Sequence, residues 1–185
     1  DRDLGLVELP EGVGFDPGGV GKGLAADLVV EALLAAGALG ACVNIGGDVR
    51  VEGIPDDGGR WLVAIEDAAT SRAIAAVGLE AGGVATSTTA KRTWTAGDAS
   101  MHHLIDPSTG APLVSPTVSA TALARTAVRA EVLAKAALLA PARSALETIT
   151  ALDGEGLTVD HHGAVATTPG FGAFACELAE RAGAS

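Results

Sequence analysis

Short apolar runs, each soon ended by glycine, proline or aspartate, constrain this chain more than any other feature. Residues 3–9, Ala41–Ile45, Val49–Ile54, Trp61–Glu66, Arg72–Leu79, Gly83–Ser87, Met101–Ile105 and Pro116–Ala124 are all of strand length. Pro55-Asp56-Asp57-Gly58-Gly59 between two of them predicts a hairpin, and so does His161-His162-Gly163 between Leu157–Val159 and Ala164–Ala166. Helical periodicity is confined to a few segments. Leu24, Leu28 and Ala32 recur with a period near 3.6 from Gly23 to about Ala36, and Gly37 closes the helix. Thr126 caps a second helix running to about Leu139, and Pro141 opens a third ending near Leu152. A last helix is expected over Phe174–Arg181. Strands outnumber helices and do not alternate with them, so the expected class is α+β in one domain spanning residues 1–185.

The first helix is preceded by Asp16-Pro17-Gly18-Gly19-Val20-Gly21-Lys22-Gly23, and here a chemical function first shows. Glycines let the backbone approach a ligand closely, and a helix N-terminus offers free N–H groups to phosphate. The spacing matches neither G-x-x-x-x-G-K-[ST] nor G-x-G-x-x-G. Alone, it fits a phosphate-side loop or an ordinary glycine-rich cap. A second double glycine, Gly46-Gly47, follows a strand and is expected to aim Asn44 and Asp48 at one spot. The net charge of -11, aromatics at 3% and the absence of Tyr argue against a nucleic-acid partner. Any phosphorylated ligand must therefore be met by local cations such as Lys22. No apolar run is long enough for a spanning helix. Cys42 and Cys176 form no C-x-x-C, and two small buried thiols or one disulfide are both open.

Four segments in fixed order carry a family resemblance: residues 16–27, Asn44-Ile45-Gly46-Gly47-Asp48, His102-His103-Leu104-Ile105-Asp106-Pro107-Ser108-Thr109-Gly110, and Ala130-Glu131-Val132-Leu133-Ala134-Lys135. The sequence resembles the ApbE family of FAD:protein FMN transferases from about Asp16 to Leu152. It corresponds to the C-terminal two-thirds or so of a typical member, so a piece of a longer protein is expected. The resemblance implies a T-fold-like, mainly antiparallel sheet packed with helices. It also implies FAD bound with Mg²⁺, FMN transfer to a threonine hydroxyl of an acceptor protein, and AMP as the product left behind. Members often act outside the cytoplasm on a lipid anchor, and no such signal is visible in this sequence.

On that resemblance, Gly18, Gly19, Val20 and Gly21 set backbone against the pyrophosphate, with Gly19 offering a carbonyl to the metal. Lys22 meets the diphosphate or ribityl chain. Asn44, Gly46, Gly47 and Asp48 lie beside the flavin or its ribityl chain, although a plain polar turn explains Asp48 equally well. Ser87 stands near the flavin, His103 is the candidate base with a reference pKa of ~6.5, and Thr109 either completes a turn or reaches the ligand. Asp27 is expected to hold a neighbouring loop, Asp106 to order its own turn, and the basic pair Lys91–Arg92 either to meet phosphate or, more simply, to be a solvated turn. His102 is expected on the opposite side of its strand from His103, and His161–His162 at an exposed tip.

The largest departure from the family pattern is Ala-Asp-Ala-x-x-Thr, whose Asp and Thr help hold Mg²⁺. Here Glu131 and Lys135 occupy those two positions. Either Glu131 is a carboxylate ligand and the two form a surface i,i+4 pair worth about 0.2–0.5 kcal/mol, or the Lys135 ammonium replaces the metal. A flavin-nucleotide binder without catalysis and an FAD pyrophosphatase are the alternatives to transfer.

Overall fold

The structure is a computed structural model that describes residues 1, 3–141 and 144–177. Among these residues, a central six-stranded antiparallel sheet runs β1 (Gly40–Ile45), β2 (Asp48–Gly53), β5 (Gly82–Thr88), β8 (Thr117–Ala124), β9 (Glu155–Asp160), β10 (Val165–Thr167). One face is covered by α1 (Gly21–Ala35), α2 (Ala127–Leu139) and α3 (Ala145–Ala151). The other is covered by a three-stranded sheet of β3 (Trp61–Glu66), β4 (Ala73–Leu79) and β11 (Ala175–Cys176). A separate hairpin, β6 (Thr93–Ala96) with β7 (Ala99–His102), stands at the rim. The α+β class and the antiparallel pairing agree with the sequence expectation.

Side-chain alternation sorts the two cores. Val49, Val51, Val84, Leu123, Leu157 and Val159 meet Val63, Ile65, Val77 and Leu79 of the small sheet. On the helix side, Ala120 and Ala122 of β8 pack against Leu133, Ala134, Ala137 and Leu138 of α2 and Ile149 of α3. The helix side is close-packed on small residues. A Cβ on Gly83 would lie 2.4 Å from Ala127, and one on Gly23 2.6 Å from the Ala127 carbonyl oxygen. Those two glycines let α2 approach both β5 and α1.

Several expectations need correction. β2 and β3 do not form a hairpin: both edges of β2 are taken by β1 and β5, and β3 pairs with β4. The Pro55–Gly59 loop instead carries the chain from one sheet to the other, tied by the Trp61 indole N–H to the Gly53 carbonyl at 3.0 Å. Residues 3–9 form no strand, because no sheet edge pairs with them, and their side chains are exposed. The third helix starts at Ala145, after a Ser144 cap. Phe174–Glu177 holds the short strand β11 in place of the expected last helix, whose remainder lies outside the described residues. The hairpin β6–β7 and β11 were not read from the sequence. Both cysteines are free thiols, and Cys42 is exposed. No described helix is long and apolar enough to cross a membrane.

Candidate functional site

The beginning of α1 is built by short-range chemistry. Asp16 Oδ1 accepts from the Gly18 N–H at 2.8 Å and caps a 3-10 turn over Pro17–Gly19, from which α1 starts at Gly21. Asp27, two turns on, accepts from the Ala127 and Val128 N–H groups at 2.8 and 3.0 Å. It thereby satisfies free donors at the start of α2, while the Thr126 hydroxyl takes the Arg129 N–H. The Arg50 guanidinium holds Asp27 from β2 at 3.2 Å. The expected structural role of Asp27 is what forms, and it locks α1 to α2.

This crossing brings two lysines and two buried carboxylates together. Glu131, 1% exposed, accepts the Gly23 N–H on Oε2 at 2.8 Å and the Lys135 ammonium on Oε1 at 2.9 Å. The Lys22 ammonium lies 3.7 Å from that same Oε1 and pairs with Asp48, also 1% exposed. Burial works to raise the Glu131 pKa, but the Gly23 N–H, Lys135 and Lys22 outweigh it and hold the carboxyl below its ordinary value. For Asp48 burial prevails over Lys22, and its pKa is raised. The Glu131–Lys135 pair is therefore part of a buried network and not the surface pair the spacing alone would give.

Above this network opens a cleft of about 520 Å³. Its floor and walls come from Gly18, Gly19, Lys22 and Lys135, from Gly46 in the β1–β2 turn, and from Thr86, Ser87 and Thr88 at the end of β5. The remaining walls are Lys91 and Arg92, then His103, Leu104 and Ile105 after β7, with Asp16 the one acidic lining residue. Four cations thus face one cavity of a protein whose net charge is -11. The exposed Lys91–Arg92 pair was read as a solvated turn; it is solvated and also a cleft wall. A basic pair in an acidic chain was the available signal. Partial burial, then Arg92 and His102, lower the His103 pKa, leaving its ring neutral at neutral pH.

The other expected residues fall outside the lining. The Gly46–Gly47 turn does not aim Asn44 and Asp48 at one spot. In the β1–β2 register Asn44 faces Val49 and Asp48 faces Ile45, so the two side chains leave opposite faces of the hairpin. Asn44 accepts the Gly47 N–H at 2.9 Å and stays exposed, whereas Asp48 supports Lys22 from below. Val20 and Gly21 shape the entry to α1. Thr109 accepts the Ala111 N–H at 3.2 Å within the turn that Asp106 organises through Ser108. His102 turns away from the cleft onto the Leu113 carbonyl at 2.9 Å, and His161 and His162 sit at the exposed β9–β10 tip.

Known proteins fit this architecture. The sequence profile of the ApbE family matches residues 1–158. An FAD:protein FMN transferase of Vibrio cholerae is 31% identical over 129 residues, which cover 69% of this chain and 38% of the relative. One of Haemophilus influenzae is 36% identical over 126 residues, covering 66% and 36%. The chain thus spans well under half the length of these curated relatives. The crystal structure of the ApbE protein of Thermotoga maritima superimposes with a TM-score of 0.82 at 29% identity, over 90% of this chain and 55% of that one. The apo flavinyl transferase ApbE of Pseudomonas stutzeri gives 0.71 at 26% identity, over 85% and 50%. With the profile matched over most of its sequence and the fold shared with solved members, this chain belongs to the ApbE family.

Proposed function

We propose that the cleft binds FAD through its diphosphate and that the protein takes part in moving FMN from FAD to a threonine hydroxyl of an acceptor protein. The observation that carries this reading is the convergence of Lys22, Lys91, Arg92 and Lys135 with a lowered-pKa histidine around one cavity, in a chain of this family. The threonine oxygen attacks the flavin-side phosphorus, and the bond from that phosphorus to the bridging oxygen breaks. The hydroxyl proton passes to neutral His103, and AMP leaves with the electron pair of the broken bond. Lys22 and Lys135 offset the charge gathering on the leaving phosphate, while Gly18 and Gly19 leave room for close backbone approach. Ser87, 8% exposed, gives a hydroxyl beside the same space.

Mg²⁺, implied by the family, is not fitted by the residues present. Both Glu131 oxygens are engaged by Gly23 and Lys135, the second motif position is an ammonium, and Asp48 is paired with Lys22. No cluster of three or more His, Cys, Asp or Glu suited to a metal occurs among the described residues. The Glu131 side chain is thus committed to protein partners, and the Gly19 carbonyl is left without that carboxylate as a co-ligand for a metal.

The test is to incubate the protein with FAD and a threonine-containing acceptor, then measure acceptor mass and free AMP. A mass gain equal to FMN with one AMP released supports transfer. AMP and FMN with an unchanged acceptor show hydrolysis instead, and intact FAD with bound flavin shows a binder.

A further inference from the structure

The mismatch between Glu131 and a metal leads to a specific property of the cleft. We infer that this protein holds a diphosphate without a divalent cation, the Lys22 and Lys135 ammonium groups supplying the positive charge from the floor of the site. The inference rests on the cleft being a diphosphate site, as proposed above.

Geometry makes lysine and metal alternatives at this point. A Mg²⁺ ligated by Glu131 would sit about 2.0–2.1 Å from a carboxylate oxygen. Oε1 already has the Lys135 ammonium at 2.9 Å and the Lys22 ammonium at 3.7 Å. Oε2 is turned away to the Gly23 N–H, in contact with the backbone of α1. A divalent ion would have to share one oxygen with two ammonium groups, or break the hydrogen bond that ties α1 to α2. Asp48 is not a spare ligand either, since it lies buried against Lys22.

The same network explains why the lysines stay in place with no ligand. Each is anchored from below by a carboxylate, while 31% of the Lys22 side chain and 24% of that of Lys135 remain exposed, and both border the cleft. The two carboxylates lie beneath the ammonium groups and offset their mutual repulsion, while the ammonium ends are what borders the cleft. Lys91 and Arg92 add two more positive charges on the wall, and Asp16 is the one acidic residue of the lining. An incoming diphosphate meets preorganised donors whose side-chain freedom is already restricted.

The experiment measures binding of FAD and of inorganic pyrophosphate by calorimetry, in EDTA and again in excess Mg²⁺. It compares the unaltered protein with Lys135→Gln, whose amide can still donate to Glu131, and thermal unfolding checks that both are folded. Both probes are expected to bind in EDTA with affinity changed less than about twofold by Mg²⁺. Lys135→Gln is expected to lose about tenfold in EDTA. Binding by the unaltered protein that appears only with Mg²⁺, or a folded Lys135→Gln that binds as well as its parent in EDTA, overturns the inference. Pyrophosphate bound in EDTA without FAD binding supports it while removing the FAD reading. Failure of both probes under both conditions removes the diphosphate site and the inference together.

Discussion

The two faces of the six-stranded sheet are built by opposite means. On one, Val, Ile and Leu side chains of two sheets interlock with Phe171 beside them, and the packing there is mainly of bulky apolar residues. On the other, alanines and two close-contact glycines draw α1 and α2 together and leave Glu131, Asp48 and their lysines where the helices cross. Bulky residues fill space but hold backbones apart. Small ones bring backbone N–H groups within reach of carboxylates, as Gly23 is brought to the buried Glu131 and Ala127 to the part-buried Asp27. In this protein the bulky face supplies a core and the small-residue face holds the buried charged network.

Substitutions can break that division. On the cleft side, His103→Gln is expected to lower the transfer rate by about 10²–10⁴-fold while FAD binding and unfolding temperature hold, measured by acceptor mass against time. Its pH profile sharpens the point. With His103 as the proposed base acting as neutral imidazole, the rate is expected to fall as pH drops through the His103 pKa, and below the ordinary histidine range because that pKa is lowered. A plateau that breaks above that range would assign the proton to another group.

Glu131→Ala strikes the helix side where the two lysines and the Gly23 N–H converge. It is expected to cost about 3–5 kcal/mol in urea unfolding, since it leaves the buried Gly23 N–H and two part-buried ammonium groups without their acceptor. Across the sheet, Leu157→Ala deletes a side chain 1% exposed in the apolar core, at about 2–5 kcal/mol. The comparison predicts that Leu157→Ala keeps diphosphate affinity well below its melting temperature, whereas substitutions in the charged network do not. Equal loss of affinity from both faces would erase the distinction.

The smallest effect separates the two carboxylates. Glu131 has a lowered folded pKa, so its stabilisation is present above its unfolded value and fades as pH falls through the folded one. Asp48 has a raised folded pKa, so it opposes this, costing stability as pH rises from the usual aspartate range through its folded value. Asp48→Asn is expected to make stability climb more steeply with pH across the acid range, read from urea midpoints. An unchanged slope would show that Asp48 ionises as easily folded as unfolded.

Much of the frame was legible in residue order. The helical run after Lys22 placed α1, although Leu24 and Leu28, which set its period, are exposed and Gly23, Ala26 and Val30 face inward; alternation and turn residues placed β3 and β8, and Thr126 marked the start of α2. The paired motifs around Lys22 and Lys135 indicated one site, and the two ammonium groups do lie at one carboxylate. What failed was pairing. Pro55–Gly59 has every mark of a hairpin loop, yet the competition of β1 and β5 for the edges of β2 sends the chain into another sheet. Asn44 and Asp48, symmetric about a double glycine, part to opposite faces because register decides orientation.

Sequence by itself therefore determined most of the element types, the α+β class and the family motifs, since propensity, periodicity and turn chemistry act over a few residues. Only the tertiary structure decided that Glu131 would be buried with its oxygens already engaged, and that Lys91 and Arg92 would wall a cleft with Lys22. Those outcomes depend on contacts between residues far apart in the chain, such as Gly23 with Glu131 and Lys22 with Asp48. Burial turns the helical pair Glu131–Lys135 from a marginal surface contact into part of a buried network beneath the cleft, and burial is set by what packs above it.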